Sequence, residues 1–519
     1  MSRPHPNQSK PNEEIQRLCR EAQESWKRQD YQRGIVLMEQ AIRRQPSNPG
    51  LHFNLALAHG RRYDFPAAER CLEKALRVSN GRVQILEEAA RICSSFTNLD
   101  FMLRYLERAS RKKGVSINAL TSLADIYIVD DRLDEAAEVV ERAAQLDRKD
   151  PRVLVREAVL KRQRGQIKEA ESRFRDLMMN SAADTRVRVR AAYALADLLD
   201  GAGQYDEAMT ALLEAKAIQR PEAAPLSDQL QQMQNLLKGI PQTITATVLD
   251  RWRTDAARLD PPRRLALLTG HPRSGTTLLE QVLDAHSDVA GLEETDLIYD
   301  EIYQPLTRDF PPGTGFFQML DSSPPSVLSR LRENYFHCAE MLLGRPLGGR
   351  LLVDKNPGVN FLIAVLLRFF PETKILIALR DPRDVVISCF MQSLRRTPAN
   401  FAYVTLEGTV HQYASVMGFW LEMLPRMENK WVYVRYEQMV SDLPAVARSV
   451  LQFLGLEFED SVLKFFERAR AKRIISVSRP DVRKPVYRTA VGRWKNYGKY
   501  LEPYMPALDR FLKEFKYAS

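Results

Sequence analysis

Along the first 220 residues the apolar positions carry two periods at once. Ala41, Ala75, Ala109 and Ala143 stand 34 residues apart; a further step lands on Leu177, and Ala215 follows after four extra residues. A second column, Tyr31, Phe65, Leu99, Leu133, Ile167 and then Tyr205, keeps the same steps in short polar turns such as RYDF, RGQI and AGQY. Runs such as LHFNLALAHG and AAERCLEKAL flank those turns with helical spacing, so the segment predicts paired helices. From residue 264 the pattern changes. RLALLTG (264–270), LLVDK ending at Lys355, and KILIAL (374–379) are apolar runs of strand length. In TTLLEQVLDAH (276–286), Leu278, Leu279, Val282 and Leu283 share one helical face. Buried strands alternating with helices predict an α/β domain with a parallel sheet and helices on both faces.

A 34-residue helix–turn–helix period resembles the tetratricopeptide repeat. The large turn residue wedges between helices, and the small one lets the next pair approach. The middle units depart from the family by lacking the small residue before the turn. The expected organisation is a polar N-terminus without order (1–14), about six tetratricopeptide units (15–222), a helical connector (223–262) and the α/β domain (263–519). Such a solenoid offers a concave groove that fits a peptide or protein partner; it could equally serve only to pack on its neighbour.

Composition changes this picture little. Of the 519 residues 45% are hydrophobic and 27% charged, an ordinary globular balance, and 76 Lys and Arg against 66 Asp and Glu leave +10. That excess favours anionic ligands without requiring nucleic acid. Five cysteines, Cys19, Cys71, Cys93, Cys338 and Cys389, show no CxxC spacing, which argues against a disulfide framework or a zinc site. The polar start MSRPHPNQSKPNEE has no apolar stretch behind it, and VNFLIAVLLRFF (359–370) is too short to cross a bilayer. A cytoplasmic protein with no membrane span is expected.

The chemistry gathers after residue 264. The order strand, Gly270-His-Pro-Arg-Ser-Gly275, helix is one in which backbone N–H groups and a helix N-terminus meet an anion. The glycine spacing is that of a Walker A loop, but Thr276 stands where Walker A needs Lys, and Arg273 supplies a cation from inside the loop. KILIAL ends in Arg380-Asp381-Pro382-Arg383-Asp384, with Asp381 as N-cap and Pro382 at N1 of a following helix that carries Ser388. A guanidinium and a hydroxyl there can share a phosphate.

HPRSGTTLLEQVLDAHSDVAGLEET resembles the 5′-phosphosulfate loop of sulfotransferases, in particular the protein-tyrosine and tetratricopeptide-containing branch, in which Arg replaces the loop Lys. The resemblance implies 3′-phosphoadenosine 5′-phosphosulfate as donor. It implies that Arg273, Ser274, Gly275, Thr276 and Thr277 hold the 5′-phosphosulfate, that Arg380 and Ser388 hold the 3′-phosphate, and that Tyr436 meets the adenine. KPVYRTAVGRWKNY (484–497) resembles the segment that closes over the 3′-phosphate, with Arg488, Gly492 and Arg493 as candidates; which arginine reaches the phosphate stays open.

Sulfuryl transfer needs a base for the acceptor hydroxyl and a cation for the leaving phosphate. By resemblance the catalytic base falls on Glu294, with Glu293 as rival, and the catalytic Lys on Lys355, with Arg273 beside it. No metal is implied. His271 and His286 read as packing residues. Where the tyrosine-sulfating branch has an Arg after its Glu-Thr pair this chain has Asp296, which sets an acidic peptide acceptor in question. The acceptor is thus a hydroxyl of open class: peptide tyrosine, carbohydrate or small molecule. Two rivals remain, a P-loop nucleotide kinase needing Mg²⁺ and a non-catalytic tetratricopeptide scaffold. Every donor motif lies after residue 263, which predicts that the repeats are dispensable for the donor and that the positive charge gathers at the donor cleft.

Overall fold

The structure, a computed structural model, describes residues 9–518 except 29, 97, 257–258, 260–261, 312, 394–396, 428 and 472–481. The expected N-terminal tail therefore lies partly outside the described residues; from Ser9 the chain is already helical. Among the described residues twelve helices follow: α1 (Ser9–Lys27), α2 (Tyr31–Arg44), α3 (Pro49–Arg61), α4 (Phe65–Val78), α5 (Val83–Ser95), α6 (Leu99–Ser110), α7 (Ile117–Val129), α8 (Leu133–Leu146), α9 (Pro151–Gln163), α10 (Ile167–Met179), α11 (Thr185–Gly201) and α12 (Tyr205–Ala223); α1 packs with α2, α3 with α4, α5 with α6, α7 with α8 and α11 with α12. The wedge column Tyr31, Phe65, Leu99, Leu133, Ile167 and Tyr205 turns out to be the first residue of each even-numbered helix. Asp30, Asp64 and Asn98 cap three of those helices by accepting N–H bonds from Arg33, Ala67 and Phe101. The small-residue column is fully buried at Ala41, Ala75, Ala109, Ala143 and Ala215. Leu177, in the same column, is buried as well.

Two compact units divide the chain. One runs to Leu160 and takes in Phe336–Pro346; the other comprises Lys161–Tyr335 and the chain from Leu347. The division falls within the repeats rather than at the connector. In the first unit the core is built from repeat positions such as Leu72, Leu86, Leu106 and Val140, each contributing about 1.5–3 kcal/mol by burial.

The second unit contains the last repeat, the connector and the α/β domain. The connector is two helices, α13 (Ser227–Thr243) and α14 (Ala246–Ala256). Trp252 of α14 is buried; its indole N–H donates to Asp321 and its ring lies under Arg368, which also pairs with Asp255. The connector is thereby fastened to the α/β domain.

Five strands, β1 (Leu265–Gly270), β2 (Val289–Leu292), β3 (Leu351–Lys355), β4 (Lys374–Leu379) and β5 (Trp431–Arg435), form one parallel sheet in the order β2-β3-β1-β4-β5. β1 is buried on both faces, as its unbroken apolar run requires. Ala266, Leu268, Val353, Leu376 and Val434 share a core with Leu279, Val282 and Leu283 of α15 (Thr276–Asp284). Chain order reverses around β1, with β3 on one side and β4 on the other, and open sheets bind ligands at the carboxyl ends of such a pair. Among the described residues no helix is long and apolar enough to cross a membrane.

Candidate active site

The loop between β1 and α15 is shaped by its glycines. Gly270 has φ +127°, and a Cβ there would stand 2.5 Å from the carbonyl oxygen of Ala378 on β4; Gly275, at φ +93°, is packed against the Tyr436 ring. Larger residues cannot follow this path. Arg273 itself adopts φ +69°. Its Nε donates to Ser388 Oγ at 3.1 Å, and its carbonyl accepts from Arg380 at 3.3 Å. The β1 and β4 junctions are thus tied to each other through the residues singled out in the sequence. Arg380 lies over the Tyr436 ring with its guanidinium carbon 4.9 Å from the centroid. It is buried, and its Nε has no hydrogen-bond partner among the described residues. A buried orphan donor beside the α15 N-terminus fits an anionic group.

These residues open into a cavity of about 860 Å³. Arg273, Gly275, Thr276, Thr277, Arg380, Ser388, Tyr436 and Arg493 line it, and so does Glu294. Ser274, Gly492 and Arg488 do not. Ser274 is buried with its N–H turned back to the His271 carbonyl. Gly492, at φ +73°, gives its N–H to Asp384 at 2.7 Å. Arg488 reaches the carbonyls of Val440 and Ser441. Of the two candidate arginines, Arg493 is therefore the one at the cavity.

Lys355 ends β3 with no exposed side chain, its Nζ 2.9 Å from Glu294 and 3.6 Å from Glu280. Burial pulls its pKa down, but Glu280 and Glu294 outweigh that, so the ammonium is held above its ordinary value. Glu280 was not legible in the sequence: it sits on α15 among apolar residues and only the fold brings it to Lys355. Glu294, half exposed, faces the cavity; its neighbour Glu293 does not line it. His271 is fully buried between Tyr403 and Tyr413, with its pKa pushed down to about 4 by burial. His286 bonds the carbonyl of Glu457. Neither is at the cavity.

The positive charge expected at the cleft is not in evidence at its wall. Among the described residues five basic and five acidic side chains line the cavity, and three of the arginines face acids: Arg162 with Asp197, Arg493 with Asp200 and Arg380 with Asp384. Arg162, Asp197 and Asp200 come from α9 and α11, so the last helices of the repeats form part of the wall.

The sulfotransferase family model matches residues 266–460, which span β1 to the chain just past β5. Over those residues the α/β domain is similar to the sulfotransferase family. Tetratricopeptide models match 19–81 and 189–221. A zebrafish (Danio rerio) protein-tyrosine sulfotransferase 1 is 27% identical over 243 residues, 44% of this chain and 65% of the relative. An uncharacterised Aquifex aeolicus protein is 22% identical over 422 residues, 79% of this chain and 53% of its own length. The chain thus spans about half to two thirds of these curated relatives. Among solved structures, the sulfotransferase domain of a Synechococcus olefin synthase matches at 19% identity over 46% of this chain and 89% of its own, with a TM-score of 0.34.

Proposed function

We propose that the chain transfers a sulfuryl group from 3′-phosphoadenosine 5′-phosphosulfate to an acceptor hydroxyl. The observation that supports this reading is that Glu294, bonded to the buried Lys355, lines the same cavity as Arg273 and Arg380 at the two strand–helix junctions. In that reading the α15 N-terminus, Arg273, Gly275, Thr276 and Thr277 hold the 5′-phosphosulfate, Arg380, Ser388 and Arg493 the 3′-phosphate, and Tyr436 the adenine. Glu294 takes the acceptor proton as the acceptor oxygen attacks sulfur. The bond from sulfur to the bridging oxygen breaks, and its electron pair leaves on the phosphate. Lys355 and Arg273 stabilise the charge that develops there, and adenosine 3′,5′-bisphosphate departs.

The acceptor wall argues for a hydroxyl on a body without strong negative charge. Asp296 lines the cavity, and an acidic peptide would meet like charge there. The groove of the earlier repeats is suited to a peptide or protein partner, a role distinct from the donor chemistry.

Adenosine 3′,5′-bisphosphate is expected to raise the melting temperature without Mg²⁺, because arginine and lysine side chains supply the countercharge. Labelled donor incubated with a cell extract is expected to yield a sulfated product. Stabilisation only by a nucleoside triphosphate with Mg²⁺ would replace this reading with a kinase.

A further inference from the structure

The C-terminal segment around Arg493 is suspended between two carboxylates from distant parts of the chain. On one side Asp384, in the helix after β4, accepts the N–H groups of Gly492 and Trp494 at 2.7 and 2.8 Å. On the other side stands Asp200, the penultimate residue of α11 in the last repeat. Its two oxygens take Arg493 at 2.5 Å and the Tyr497 hydroxyl at 2.6 Å. Tyr205, first residue of α12, packs edge-on against Tyr497.

We infer that Asp200 is a positioning residue for the donor: the last repeat aims Arg493 at the 3′-phosphate and so completes the nucleotide site. This rests on the sulfotransferase reading above. A free arginine side chain has about 2 kcal/mol of rotamer entropy to lose on binding. Asp200 removes that cost in advance, because its side chain is only 14% exposed and is itself held by Tyr497. The alternative, that Asp200 merely competes with the phosphate for Arg493, fits the geometry less well. Asp200 divides its oxygens between Arg493 and Tyr497 instead of clasping the guanidinium with both, and a guanidinium has five N–H donors to share.

The test uses the full-length chain and two ligands, adenosine 3′,5′-bisphosphate and adenosine 5′-monophosphate, with dissociation constants measured by calorimetry. Asp200→Ala is expected to weaken the bisphosphate about ten-fold, the scale of one charge-assisted contact, and to leave the monophosphate within about two-fold. In Arg493→Ala the further Asp200→Ala change is expected to cost nothing, since Asp200 acts through that arginine. Asp206→Asn serves as control: that residue holds Lys499 and Tyr500 of the same segment at an exposed position, and it should leave both constants unchanged. Equal or tighter bisphosphate binding by Asp200→Ala overturns the inference in favour of competition. Equal weakening of both ligands reduces Asp200 to a structural prop and also overturns it. Failure of the wild-type chain to bind bisphosphate at all would instead strike the sulfotransferase reading itself.

Discussion

At the scale of single residues, two adjacent glutamates with the same chemistry have different surroundings. Glu294 lines the cavity and bonds Lys355, while Glu293 does not reach that wall. A base must lie within reach of the acceptor oxygen, and losing one costs about 10²–10⁴-fold in rate. Glu294→Gln is therefore expected to bind bisphosphate normally and transfer sulfate at least about a hundred-fold more slowly in single turnover, with Glu293→Gln active. The opposite ranking would move the base to Glu293. Lys355→Met tests the other half of the pair. It removes the cation 3.6 Å from the fully buried Glu280, and removing one partner of a buried pair destabilises by about 3–5 kcal/mol. Its melting temperature should fall along with its activity, whereas Glu294→Gln, at a half-exposed position, should melt close to wild type. A Lys355→Met protein that melts normally would mean that Glu280 does not depend on Lys355 in the fold.

At the scale of elements, what could be read in the sequence is what local chemistry dictates. The repeat columns, the β1 loop and the helix start at Asp381-Pro382 depend on steric size, glycine conformation and capping, and all appear at their expected places. The four-residue β2 is too short to stand out, and the roles of Glu280 and Asp200 and the bonding of Arg488 to the Val440 and Ser441 carbonyls are decided by residues far away in the chain. The phosphate loop itself makes two predictions. Gly270→Ala would drive a methyl into the Ala378 carbonyl at a positive φ, so the variant is expected to lose bisphosphate binding or to melt well below wild type; normal melting with normal binding would show that β1 and β4 can separate. Within the loop, His271 stays neutral in the fold down to about pH 4, whereas the unfolded chain takes up a proton near pH 6.5. Stability from this group is fully present above pH 6.5 and is lost as pH falls toward 4, by up to about 1.4 kcal/mol per unit. His271→Phe keeps a ring between Tyr403 and Tyr413 but cannot titrate, so its melting temperature should fall less steeply between pH 6.5 and 4.5. Parallel curves for the two proteins would mean that the buried imidazole takes up protons in the fold as readily as outside it.

At the scale of the molecule, the expectation that the repeats are dispensable for the donor followed from where the motifs lie, and the second compact unit gives it a different form. That unit begins at Lys161 and includes α10 to α14 together with the sheet. Met233 and Leu237 of α13 line the cavity, and Gln234 of the same helix bonds Gln412 at 3.0 Å. A chain starting at residue 240 would cut through α13, remove both apolar residues and leave Arg493 without Asp200. A chain starting at Asp150 would keep α9 whole and with it the Arg162 and Asp200 contributions to the wall. The two truncations therefore separate the earlier repeats from the last one. The 150–519 chain is expected to hold bisphosphate within about two-fold of the full-length protein, and the 240–519 chain, if it remains monomeric and cooperatively folded, about ten-fold more weakly. Calorimetric titration of all three decides it. Full affinity in a folded 240–519 chain would assign the nucleotide site to the α/β domain alone, while a loss already present in the 150–519 chain would extend the donor site into the earlier repeats.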